Sequence, residues 1–240
     1  MLMIALFGVL GMIVHGTAQP FTPSQYIANT YMYIFLGIIG MGLVWCVKYS
    51  HGHLPTQTNP LVWLLLSILC IVGTMRSDPM VSHIWWVGLI GLLANQTYVW
   101  YLVNRSNQSD TKVLVQLFVI GAVLTIGAFG STHGTYAGWG APLMGVLVGL
   151  IGVELVDYFL LSHDGNAYHR LQGYSFVGLL LFSCFLVYDT DVLRGNASKL
   201  ARLGNQTQCD PRDLANYPAA SLGIGLDLLN LYGNLTVQNN

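Results

Sequence analysis

The sequence predicts an all-α fold: a polytopic membrane helix bundle of seven to eight transmembrane helices forming a single domain over 1–240. Three observations lead there. Of 240 residues, 54% are hydrophobic and only 8% are charged, against roughly 25% charged in an ordinary soluble domain. Residues 1–47 hold no Asp, Glu, Lys or Arg, and Val113 to Val153 form a second charge-free stretch; a helix crossing a bilayer needs about 20 mostly apolar residues, so each stretch holds at least one span. The connections between apolar runs are short, which leaves no room for a soluble domain.

Eight apolar runs follow one another between polar or Gly/Pro punctuation. The first, 2–16, has the apolar centre of a signal peptide without its basic flank and lacks the Arg- and Ser-rich bias of a mitochondrial presequence, so it reads as a short first span. The spans at 26–49, 60–75, 80–103 and 112–130 are separated by "SHGHLPTQTNP" and "NRSNQSD" among other polar breaks. Those at 139–162, 172–193 and 214–236 complete the set. "GNASKLARLGNQTQCDPRD" is the one long connection, placed before the last span. "GIIGMG" at 37–42 and "GVLVGLIG" at 145–152 supply small residues that let helices approach closely, either within the bundle or at a dimer contact.

Charge excludes some functions. The net charge of -1 gives no basic face for nucleic acid. Nine basic residues split four against five across the eight spans, which sets no orientation. Cys46, Cys70 and Cys184 lie in apolar runs and Cys209 in a polar connection, a pattern of packing rather than a disulfide framework. His51 and His53 in "HGH" lack a third ligand in view, and His133, with the other histidines near span ends, needs no special role. The six Asn-x-Ser/Thr sequons, including Asn104 and Asn196, fall on both sides of this topology, as chance sequons in an Asn-rich chain would.

Five acids remain within or beside the apolar runs: Glu154, Asp157, Asp189, Asp191 and Asp227. An ionised group deep in a bilayer costs about 2.5 kcal/mol or more, so each needs a bundle interior, a partner or water. Asp227 lies about 13 Å beyond Pro218 along a helix, with no Lys or Arg after it. Asn230, three residues on, shares its face and can offer it an amide hydrogen bond. Asp189 follows a charge-free run from Gly173 through Tyr188. Asp191 points about 200° away from it around the helix and has Arg194 within reach as an ion-pair partner. Glu154 and Asp157 share one face near the polar "SHDG", as a hydrated vestibule or a solvent-facing helix end.

If the last two long helices run antiparallel, Asp189 and Asp227 face each other. Two carboxylates in a low-dielectric site cannot both ionise cheaply, so the pair holds one proton and can exchange it for a cation. Calcium accepts such flexible oxygen ligation, and two carboxylates fall short of its six to eight oxygens, so a weak transit site is expected. One geometric tension accompanies this reading: with a helix end at Arg194, Asp189 lies only about 7 Å from that end.

"LLLFSCFLVYDTDVL" followed by "NYPAASLGIGLDLLNLYGNL" resembles the signature of the transmembrane Bax inhibitor motif family, in which Tyr-Asp-Thr ends the penultimate helix and Leu-Asp-x-x-Asn marks the last. "NTYMYIFLGIIGMG" and "GWGAPLMGVLVGL" resemble segments of its mitochondrial branch. The resemblance runs from about residue 29 to 236 and implies a bundle around a central helix, with a pH-sensing aspartate pair, here Asp189 and Asp227, on a calcium leak or calcium/proton exchange pathway. It implies an internal membrane, the mitochondrial inner membrane foremost and the endoplasmic reticulum or Golgi as the alternative. Asp191 stands where relatives often carry Gln, and Lys48 and Arg76 sit at helix ends where some relatives latch an aspartate from inside an early helix.

Two functions compete. One is transport; the other is a structural accessory subunit of a large membrane complex that retains the fold, with lipid and neighbouring subunits as partners. No cofactor is implied beyond transient calcium. An enzyme is not expected, because the Gly-x-Gly-Asp motif of intramembrane aspartyl proteases is absent: "GIGL" precedes Asp227 and a Tyr precedes Asp189.

Overall fold

The computed structural model describes residues 22–53, 60–157, 167–206 and 214–240. The expected first span at 2–16 lies outside them. Within them run α1 (Pro23–Ser50), α2 (Pro60–Arg76), α3 (Pro79–Ser106), α4 (Asp110–Gly130), α5 (Gly140–Val156, preceded by a 3-10 turn at Ala137–Trp139), α6 (Ala167–Gln206) and α7 (Tyr217–Asn239).

Local chemistry explains the starts. Pro23, Pro60 and Pro79 each open a helix, where the missing N–H has no intrahelical partner to lose. Thr22 caps α1 by accepting from the Gln25 N–H at 3.2 Å. Asn216 caps α7 by accepting from the Ala219 N–H at 2.9 Å.

Among the described residues, four helical stretches are long and apolar enough to cross a membrane: Pro23–Ser50, Asp110–Gly130, Ala137–Val156 and His169–Leu203. The chain is an integral membrane protein on that ground. The largest departure from expectation is α6. Its 40 residues run on to Gln206, past the end expected at 193, so the first half of the supposed long connection is helix. Polar residues there suggested a loop, but Asn, Ser and Lys are compatible with helix wherever one flank packs; Ala197 is fully buried. Asp189 therefore sits about 33 Å from the start of α6 and about 25 Å from its end, which removes the tension over its depth.

The chain divides into two compact units, Met1–Tyr98 with Leu193–Leu222, and Val99–Val192 with Gly223–Asn240. In the first, α1 meets α3 where Gly37 admits Ile90 and Trp86, whose atoms lie 3.1 and 3.3 Å from where a Cβ would stand. Tyr26, Tyr33, Trp86 and Tyr217 form its aromatic centre. Asn216 ties the start of α7 to the Thr74 carbonyl at 3.2 Å and receives the Ser82 hydroxyl at 2.9 Å.

In the second unit α7 is the central helix. It is met by α4 at Gly121 and Leu228, by α6 where Ser175 donates to the Asn234 carbonyl at 2.7 Å, and by the end of α3 where Asn104 donates to Tyr232 and Thr236 at 3.0 and 2.9 Å. A helix enclosed by protein can carry polar residues that lipid would reject, which accounts for Asp227, Asn230 and Asn234 along it. Asn104 is wholly buried, so its sequon is closed to modification in the folded chain. The glycines of "GVLVGLIG" behave differently from Gly37: Gly145, Gly149 and Gly152 have nothing within 4 Å, and α5 has no buried residue. Packing within the chain, one of the two roles expected of them, is not what they do here.

Candidate functional site

α6 and α7 run antiparallel in the second unit: Ser175 meets Asn234 at one end and Asp189 meets residue 223 toward the other. This brings Asp189 and Asp227 together, with their carboxyl groups close enough to interact directly. Asp227 is 5% exposed and Asp189 half-buried. Among the described residues, no N–H or hydroxyl donor reaches Asp227 Oδ2, and the ion pairs of Asp, namely Asp110 with Arg105, Asp191 with His133 and Asp157 with Arg170, include neither member.

A hydrogen bond between two carboxyl groups requires a proton on one of them. Two full charges about 4 Å apart at an effective dielectric near 20 repel by about 4 kcal/mol. Sharing a proton replaces that repulsion with a bond. A pair that carries one proton and one negative charge avoids that cost.

Gly223 makes the approach possible. It lies one turn before Asp227 on the same face of α7, and a Cβ there would collide with Asp189 Oδ2 and stand 2.8 Å from its Cγ. Sequence reasoning missed this residue, although a glycine four positions before a buried acid is a readable signal of a hole beside it.

Asn230 does not serve the pair as expected. Its amide donates to the Leu226 carbonyl at 2.9 Å, because the carbonyl one turn back lies within easy reach of an Asn side chain in a helix. Asn234 bonds back to the Asn230 carbonyl in the same way.

Asp191, on α6, is 3% exposed and points away from the pair, its carboxylate docked against the loop that joins α4 to α5. Both its oxygens accept from the Gly134 N–H at 3.1 Å, Oδ2 accepts from the Tyr136 N–H at 3.2 Å, and His133 Nδ1 lies 3.2 Å from Oδ1. Gly134 has φ +86, the left-handed conformation that turns successive N–H groups toward one anion. His133, set aside in the sequence, faces a buried carboxylate. Asp157 pairs with Arg170 at 2.5 Å, whereas Glu154 lies exposed on α5. His51 and His53 are exposed, and among the described residues no three His, Cys, Asp or Glu side chains cluster as a metal site would require.

An all-helical membrane protein that encloses an acid pair in a bundle around its last helix is the class these features define. The family described as inhibitor of apoptosis-promoting Bax1 (Bax1-I) matches residues 23–237, and the chain belongs to that Bax inhibitor family. No curated protein and no solved structure matches it.

Proposed function

We propose that this protein is a weak, pH-sensitive calcium pathway of an internal membrane, a leak channel or a calcium/proton exchanger, in which Asp189 and Asp227 take a proton and the ion in competition. The observation that carries it is the close approach of the half-buried Asp189 carboxyl to the buried Asp227 carboxyl, with neither of them in an ion pair among the described residues. When the shared proton leaves, the pair becomes a dianion that draws a divalent ion; when calcium binds, the proton is expelled. Two carboxylates offer at most four oxygens, so water and carbonyls complete the shell and binding stays weak enough for release. Acid favours the protonated, closed pair and opposes calcium.

The reading extends to seven or eight spans, to a transporter rather than an enzyme, and to the mitochondrial branch typified by growth-hormone-inducible transmembrane protein. That branch points to the mitochondrial inner membrane. Replacing Asp227 with Asn and following calcium flux in liposomes across a pH series tests it: flux should fall and lose its pH response. Unchanged flux with an unchanged response would end it.

The accessory-subunit reading draws on α5, which has no buried residue and exposes Gly145, Gly149 and Gly152 on a face open to a neighbour. A lone 26 kDa species after gentle solubilisation would count against a scaffold.

A further inference from the structure

α6 is gripped on two sides within four consecutive residues. Asp189 meets Gly223 and Asp227 of α7. Asp191, pointing about 200° away, is held by the backbone N–H groups of Gly134 and Tyr136. Tyr188 adds a third contact to the same loop: a Cβ on Gly140, at the start of α5, would stand 2.5 Å from its hydroxyl oxygen. Rotating α6 about its axis to withdraw Asp189 from Asp227 would drag Asp191 out of its N–H cradle.

We propose that Asp191 is a positioning residue, the anchor of a brace through which the α4–α5 loop fixes the rotation of α6 that presses Asp189 against Asp227. A full carboxylate suits this part better than an amide would. Carboxylate oxygens only accept, so both can face N–H donors, whereas an Asn would turn its own NH2 group toward the Gly134 or Tyr136 N–H. Two backbone N–H donors on one buried charge, one of them shared between both oxygens, make the hold strong and directional. The inference deepens the proposed function by assigning the restraint that keeps the acid pair closed, and it rests on that reading only for its effect on flux.

The test is Asp191→Asn in the full chain, reconstituted in liposomes, with three readouts. Amide hydrogen exchange at Gly134 and Tyr136 should quicken by at least about tenfold, as expected for loss of hydrogen bonds to a charge. The infrared carboxyl stretch of the Asp189–Asp227 pair, identified as the band that Asp227→Asn removes, should shift toward that of a free carboxylic acid. Calcium flux at fixed pH should rise severalfold, since the pair opens more easily. Faster amide exchange with an unshifted carboxyl band would overturn the proposal, because Asp191 would then pin only the loop; unchanged amide exchange would overturn it as well. A shifted band in liposomes that pass no calcium, with or without the substitution, upholds the brace and removes the calcium reading instead. Should Asp191→Asn not fold, Gly134→Ala distorts the cradle from the loop side, and it should quicken exchange at Tyr136 and shift the same band.

Discussion

Asp189 and Asp191 stand two residues apart on one helix, and the protein satisfies them by opposite means. Asp189 meets a second acid, which competes with it for a proton and offers none when both are ionised. Asp191 meets backbone N–H groups and a histidine, a surround that welcomes a full negative charge. Burial alone therefore says little about the state of a carboxyl group. What matters is whether the partner donates hydrogen or competes for it, and a rotation of about 200° around α6 is enough to change that partner.

The same substitution at the two positions should break the symmetry most visibly. Asp191→Asn removes charge-assisted bonds and sets an NH2 against N–H groups, so unfolding in detergent should show a loss of about 2–3 kcal/mol. Gly223→Ala should come next, at about 1–2 kcal/mol: crowding against the Asp189 carboxylate costs about 1–3 kcal/mol, partly offset by the better helix propensity of Ala. Its melting temperature should fall, and the infrared band of the carboxyl pair should weaken; an unaffected band would mean that the two acids do not depend on the glycine gap.

Asp227→Asn should change stability by less than about 1 kcal/mol, because a neutral amide of similar shape can donate to Asp189 in place of the shared proton. If this variant proved as unstable as Asp191→Asn, the contrast between the two sites would be lost. Gly149→Ala, with open space around it, is the smallest change and should leave the unfolding curve within about 0.5 kcal/mol of the parent or slightly above it.

Much of the candidate site was legible because lipid makes acids conspicuous. Asp189 and Asp227 stand out in runs without other charge, and the antiparallel course of α6 and α7 followed from their order along the chain. The extent of α6 was not legible: residues 194–206 look like a polar connection, and their helical state depends on a flank that packs through Ala197. Asn230 was assigned to Asp227 by helical spacing, but spacing cannot say whether an amide prefers a side chain or the carbonyl of its own helix. The glycines taught the same lesson. Gly37 and Gly145 are alike in sequence context, yet one sits against Trp86 and Ile90 and the other against nothing.

Composition and spacing by themselves determined that this is a helical membrane protein and which acids lie in apolar surroundings, because transfer into lipid and the periodicity of a helix act through neighbours a few residues away. Only the tertiary structure decided that Asp189 would face another acid while Asp191 would face N–H donors 55 and 57 residues distant in the chain. A carboxyl group's charge is set by the atoms within a few ångströms of it, and those arrive from segments whose meeting no local rule records.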